Sequence, residues 1–392
     1  MKARPGRAMS ERVLHTSPPI MQVMRSLAKG RDVLDLSQGV PFFDPPGDCI
    51  REALLDLKGL NRYGPDEGDP DLKELISRKL GNRNGITAAP DDGIMVTSGA
   101  NLGFLNASAT VCDVGDDVVL LDPFYFNHHM ALDILGIRAV RVPTDDMFMP
   151  VPENIERSIG GRTRAIVLVS PNNPTGMTYP KKLVEDVLDI CIDREIWLIS
   201  DETYEGFNFD APHFSPGSGG EDVPVISLFS LSKSHSLSGW RIGYMSYPPE
   251  LHEGMLKVQD TTVICPSRIS QKVAYYCLKD RPDHLSGHIG SFMRSREMVV
   301  DWQKGLEGII SAPRPNGAYY SFPRLLSEGY RGGSMKLVER VLEETGVLLV
   351  PGAPFGAEEP PHFRISYGNV MAGELKEALD RLTAFFERLD IS

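Results

Sequence analysis

Between residues 94 and 246 the chain alternates short apolar runs with amphipathic stretches, and this alternation limits the folds open to it. The runs are Ile94–Thr97, 118–121, 165–169, 196–199, 225–229 and Gly243–Ser246. Each is apolar on both parities, the pattern of a strand buried on two faces within a parallel sheet. Among the intervening stretches, residues 181–194 place Leu183, Val184, Val187, Leu188 and Cys191 at helical spacing. Strands alternating with helices predict an α/β fold, a mostly parallel sheet sandwiched by helices. Further along, strand candidates at 318–322, 347–350 and 362–367 are interspersed with long helical patterns, including 374–389. These predict a second, smaller α+β domain, entered through a helix within 283–307. The Gly-, Ser- and Pro-rich stretch 212–224 reads as a surface connection.

Composition excludes several function classes. With 41 Lys plus Arg against 53 Asp plus Glu the net charge is −12, which disfavours nucleic acid and anionic membranes as partners. It leaves room for a local cationic pocket that takes an anionic ligand. The five cysteines, Cys49, Cys112, Cys191, Cys265 and Cys277, are widely spaced without a CxxC pair. They predict neither a disulfide framework nor a metal site, and a reducing compartment, the cytoplasm. The basic N-terminal stretch lacks the apolar run of a secretory signal, and no run is long enough to span a membrane.

In open α/β sheets ligands bind beyond the carboxyl ends of the strands, so functional residues are expected there. Residues 225–229 lead into Ser230 and Lys233, with Arg241 eight positions on. A lysine at a strand end among small hydroxyl residues is a candidate amine nucleophile once desolvated, and Arg241 a candidate phosphate clamp. Residues 196–199 lead into Asp201, a candidate partner for a protonated pyridine nitrogen, and Tyr204, a candidate donor to a ring oxygen. Residues 165–169 lead into Ser170-Pro171-Asn172-Asn173-Pro174-Thr175-Gly176, a rigid turn presenting Asn173. Ile94–Thr97 leads into Gly99, Ala100 and Asn101, a glycine turn opening a helix whose N–H groups face an anion. Residues 118–121 lead toward Tyr125, an aromatic placed to stack on a ring. Singly, each has a bland explanation: a loop lysine, a capping Asp, a packing Tyr, an ordinary turn. Together they form the complement of an aromatic, phosphorylated aldehyde.

The stretch 230–243 resembles the lysine signature of class I pyridoxal-phosphate-dependent aminotransferases, the aspartate aminotransferase superfamily of fold type I. The same order of motifs runs from Gly39 to Arg364, nearly the whole chain. The resemblance implies pyridoxal 5'-phosphate held as a Schiff base on Lys233, which then serves as the base. It implies Asp201 on the pyridine nitrogen, Tyr204 and Asn173 on the ring oxygen, and Tyr125 stacked on the ring. Gly99, Ala100, Asn101, Ser230 and Arg241 would hold the phosphate. Tyr63 would reach the phosphate of a neighbouring subunit, which requires a homodimer with shared active sites. Gly39, Asn173 and Arg364 would bind the substrate, Arg364 through its α-carboxylate. Arg364 also stands out by itself, a charge between apolar Phe363 and Ile365 that needs a partner. The implied division is 1–45 as an N-terminal arm and part of the small domain, a large cofactor-binding domain at 46–280 and a small C-terminal domain at 281–392.

The implied reaction moves an amino group between an L-amino acid and a 2-oxo acid by a ping-pong mechanism. Residues 63–68, 124–127 and 257–266 look similar to members acting on aromatic amino acids and methionine, with aspartate and glutamate kept as alternatives. Other fold-type-I reactions, such as C–S lysis, decarboxylation or cyclisation, share the lysine signature. A regulator built on the same body would carry an extra nucleic-acid-binding domain, for which the segment ahead of Gly39 is short. His128, His129 and His235 depart from the family pattern and are expected to be packing or surface histidines.

Overall fold

The computed structural model describes residues 9–220, 222–326, 330 and 332–389. The first residues of the N-terminal stretch, and one residue of the 212–224 loop, lie outside these. A seven-stranded sheet is formed by β1 (Ile94–Thr97), β2 (Asp117–Asp122), β3 (Arg138–Pro143), β4 (Thr163–Val169), β5 (Trp197–Asp201), β6 (Val225–Ser230) and β7 (Gly243–Ser246). Its order is β1-β7-β6-β5-β4-β2-β3. The pairs among β2 to β6 are parallel, and β7 runs antiparallel to both its neighbours. β7 therefore departs from the expected parallel run. Its sequence is as apolar as the others because burial on both faces, not strand direction, sets composition.

Strand parity divides the core. Val118, Leu120, Val167, Ile199 and Leu228 face one side, packed with Phe104 and Ala107 of the helix Ala100–Val111. Val119, Leu121, Ile166, Leu168 and Leu198 face the other, against Val184, Val187, Leu188 and Cys191 of the helix Lys181–Asp193. Successive side chains of a strand point to opposite faces, so a doubly apolar run forces two covering layers. Each fully buried Val or Leu contributes about 1.5–3 kcal/mol, which makes the helical cover obligatory.

β3 has no counterpart among the expected strands. It sits at the sheet edge, where its exposed Arg138 and Arg141 pair with Asp117 and Asp122 of β2. Its Arg-Ala-Val-Arg-Val-Pro sequence reflects that position, since charge and proline keep an edge from templating further strands.

A second core joins Ile20, Met24, Leu36 and Phe43 to aromatic residues late in the chain, including Trp302, Phe363, Phe385 and Phe386. Leu34–Asp35 pairs in parallel with Val347–Leu348. Phe363–Ser366 lies between Tyr320–Ser321 and Val350–Pro351, antiparallel to both. The helices Ile289–Gly305, Gly333–Thr345 and Ala372–Arg388 cover this small sheet. Among the described residues no helix is long and apolar enough to cross a membrane.

The two cores are tied together at the turn after β4. Gly176, at φ +74, accepts hydrogen bonds on its carbonyl from the N–H groups of Asn316 (3.1 Å) and Gly317 (2.8 Å). A Cβ at Gly176 would collide with the Tyr320 carbonyl oxygen. Gly176→Ala is therefore expected to destabilise by about 2 kcal/mol or more, through strain at positive φ and a forced backbone shift. A thermal melt lowered by several degrees would bear this out; an unchanged melt would show that the seam tolerates displacement.

Candidate active site

The carboxyl ends of β1, β2, β4, β5 and β6 open onto one cleft of about 530 Å³. Ala100, Asn101, Tyr125, Asn173, Asp201, Tyr204, Ser230, Lys233 and Arg241 all line it. Gly99 caps the helix Ala100–Val111 from φ +84, where a Cβ would lie 2.5 Å from an Arg241 nitrogen. Gly39 and Arg364 border the same space through their contacts with Lys233 and Asn173. Tyr63 stands apart, 79% exposed on the surface.

Ser230 caps the one-turn helix Leu231–Ser234, its hydroxyl accepting from the Ser232 N–H at 3.1 Å. That turn points Lys233 into the cleft, where Nζ donates to the Gly39 carbonyl at 2.5 Å and lies 5.7 Å from the Tyr204 ring centroid. The side chain keeps some surface toward the cleft while the protein encloses it. Burial pulls its pKa down to about 8; Arg364 and Arg241 add to that, and Asp201 opposes it. A substantial fraction is thus a neutral amine near pH 8.

Asp201, the last residue of β5, is buried. Burial alone would raise its pKa, but contact with His128 and the Thr203 donors outweigh it and hold the carboxyl below its usual range. His128 Nε2 lies 3.2 Å from one Asp201 oxygen, and the Thr203 N–H donates to the other at 3.0 Å. His128 stacks on Phe104 with centroids 4.0 Å apart, and meets the Tyr125 ring edge-on. His128 is thus a packing histidine, as expected, and one that also touches Asp201. Like His128, His129 and His235 lie outside the cleft lining: His129 is 3.3 Å from Asp133, and His235 contacts the Arg281 carbonyl at 3.0 Å. Spacing sets His128 one helical turn from Tyr125 at the start of Phe126–Leu135, but gives no sign of its contact with Asp201.

Two cations here have carbonyl partners only. Arg364 is buried; Nη1 donates to Asn173 Oδ1 at 2.8 Å and Nη2 to the Ser37 carbonyl at 2.6 Å, while Nε has no partner. Arg241, at φ +52, donates from Nη1 to the Ser238 carbonyl at 3.0 Å and from Nη2 to the Ser98 carbonyl at 3.5 Å. Among the described residues neither is in a salt bridge. A buried guanidinium without a counter-ion is costly, so Arg364 fits an anion brought from outside, and Arg241, exposed at the cleft with carbonyl partners only, is open to a second. An amine with lowered pKa, a buried carboxylate and two unneutralised guanidinium groups fit a phosphorylated aldehyde together with a carboxylate-bearing substrate.

The family model for aminotransferases of class I and II matches residues 31–382. The chain belongs to that family. It is 33% identical over 393 residues to an aromatic aminotransferase of Arabidopsis thaliana, covering 97% of each chain. It is 33% identical to an aspartate aminotransferase of Pyrococcus abyssi, covering 96% of this chain and 97% of that one. Among solved structures, the Thermus thermophilus aspartate aminotransferase with maleate matches at 30% identity and TM-score 0.89, covering 96% and 99%. The aromatic aminotransferase of Pyrococcus horikoshii matches at 32% identity and TM-score 0.86, covering 94% and 100%. The protein is a pyridoxal-phosphate-dependent aminotransferase.

The Lys233 environment has a measurable consequence. The rate at which the Lys233 amine reacts with an added aldehyde is expected to rise with pH through a midpoint near 8. A midpoint above 10, the range of an unperturbed lysine, would show that the cleft does not desolvate the amine.

Proposed function

We propose that this aminotransferase binds the α-carboxylate of an L-amino acid on Arg364 and moves its amino group to a 2-oxo acid. The observation that carries the reading is the buried Arg364 guanidinium, held by two neutral carbonyl groups with Nε left over. Pyridoxal phosphate, when bound, supplies an aldehyde that captures amino groups and a ring that accepts the electron pair left at Cα. Lys233, the attachment point, takes the Cα proton once its amine is free and neutral. Asp201, with His128 beside it, would keep a proton on the pyridine nitrogen. Tyr204 and Asn173 would donate to the ring oxygen, and Tyr125 would cover the ring. Ser230, Arg241 and the Gly99–Asn101 turn would hold the phosphate, while Gly39 would border the substrate.

The preferred donor is an amino acid with an aromatic or methionine-like side chain. Within one chain the cations lining the cleft are Lys233 and Arg241, with Arg364 beside them, so none is left for a second substrate carboxylate. Val40, Pro41, Phe42 and Phe43, which follow Gly39, are apolar. Arg364→Ala is expected to lower kcat/KM for every donor on the order of 10²–10³-fold, the cost of truncating one partner of a buried charge pair. In half-reactions followed by absorbance, tyrosine, phenylalanine and methionine are expected to outpace aspartate and glutamate. The opposite ranking would reverse the donor assignment.

The working unit is a homodimer in the cytoplasm. Exposed Leu54, Leu55, Leu57 and Tyr63 form an apolar stretch that a second copy would cover, and the described cysteines are free. The division at residues 45 and 280 is supported by the N-terminal Ile20–Phe43 side chains packing in the later core. If Tyr63 serves the neighbouring site, mixing inactive Tyr63→Ala and Lys233→Ala enzymes regenerates one intact site per hybrid. Activity recovered on mixing is the expected outcome; none would place Tyr63 outside the neighbouring site.

A further inference from the structure

Tyr320 is fully buried, and its hydroxyl oxygen lies 2.6 Å from that of Tyr204. The Tyr319 ring packs against both, with centroids 5.4 Å from Tyr204 and 4.9 Å from Tyr320. Tyr320 pairs with Ser366 across the small sheet, so strand parity puts it on the same face as Arg364 two residues earlier. The Arg364 guanidinium carbon stands 4.7 Å from the Tyr320 ring centroid, within cation–π range. The hydroxyl occupies space that exists only because residue 39 is glycine, since a Cβ there would collide with it. One side chain thus touches the tyrosine of the cofactor cleft and the guanidinium at its edge.

We infer that Tyr320 is a positioning residue for transamination: its hydroxyl donates to the Tyr204 oxygen, freeing the Tyr204 proton to point into the cleft, while its ring supports Arg364. The inference rests on the roles proposed above for Tyr204 and Arg364. The direction of donation follows from the surroundings. Burial pushes both phenols up, but Arg364 pulls Tyr320 back, whereas Tyr204 is raised well above its ordinary value. The Arg364 guanidinium, 4.7 Å from the Tyr320 ring centroid, favours negative charge on that phenol and so makes it the donor of the pair. Tyr204 keeps its own proton for an acceptor in the cleft. Without the Tyr320 hydroxyl, Tyr204 loses the partner at 2.6 Å that sets its rotation.

The test uses the cofactor-loaded enzyme and reads the pH titration of its visible absorbance alongside kinetics. A donor aimed at the ring oxygen withdraws charge from it, so weakening that donor raises the titration midpoint. Tyr320→Phe is expected to raise the midpoint by about half to one pH unit, the worth of one hydrogen bond. It should lower kcat with KM for the amino donor changed less than about twofold, because the ring beneath Arg364 remains. Tyr320→Leu, which removes the ring too, should also raise KM about tenfold. In a Tyr204→Phe background the Tyr320→Phe shift should vanish, since the residue it acts through is gone. Melting temperature and cofactor content, measured on each variant, separate these effects from unfolding. A Tyr320→Phe enzyme that titrates like wild type, while Tyr204→Phe shifts, overturns the inference alone. So does a shift that persists undiminished in the Tyr204→Phe background. Tyr204→Phe titrating like wild type overturns the role of Tyr204 and this inference with it.

Discussion

The active site depends on one seam, where the turn after β4 meets the segment leading into Tyr320. The Gly176 carbonyl accepts two backbone hydrogen bonds there, and the Thr178 N–H donates to the Asn316 side chain at 2.6 Å. Ala318 closes the seam by donating to the Phe207 carbonyl at 2.8 Å. Through this contact the late core presents Arg364 and Tyr320 to groups carried by the large sheet. Neither sheet holds the complete set. Asn173 meets Arg364, and Tyr204 meets Tyr320, only because the two frameworks share that backbone. Rigid secondary elements on both sides of a close backbone contact are what hold side chains to the tolerance that catalysis requires.

Electrostatics give the cleft its character against the trend of the molecule. The chain carries a net charge of −12, yet Lys233, Arg241 and Arg364 converge where only Asp201 offsets them. The consequence appears on Lys233, whose pKa falls to about 8 under burial and its cationic neighbours. The same excess of positive charge is what a phosphate and a carboxylate neutralise. One arrangement therefore lowers the basicity of the amine and leaves positive charge for anions to neutralise. Asp201 works in the opposite sense: it is buried yet held ionised, because His128 and Thr203 face it from two sides.

Much of this was legible in the chain. Doubly apolar runs marked the central strands, and the rule that ligands bind beyond strand carboxyl ends located Gly99, Tyr125, Asn173, Asp201 and Lys233 within a few residues of them. β3 escaped because an edge strand mixes charge and proline into its sequence, and the direction of β7 escaped because composition does not encode it. His128 escaped for a different reason. A histidine is interpretable only through its partner, and Asp201 lies 73 positions away, at the end of a strand separated from β2 by β4.

The sequence by itself determined the layered α/β fold, the cofactor, and the chemical type of each group at each strand end. These follow from local periodicity and from residue kinds at short spacings, which a linear chain records directly. Tertiary structure alone decided which of those groups touch. It joined Tyr320 to Tyr204 and Arg364, left Arg364 with carbonyl partners instead of a counter-ion, and set the acidity of Lys233. Those outcomes depend on distance and desolvation between residues far apart in the chain, and such quantities exist only once the two cores have docked.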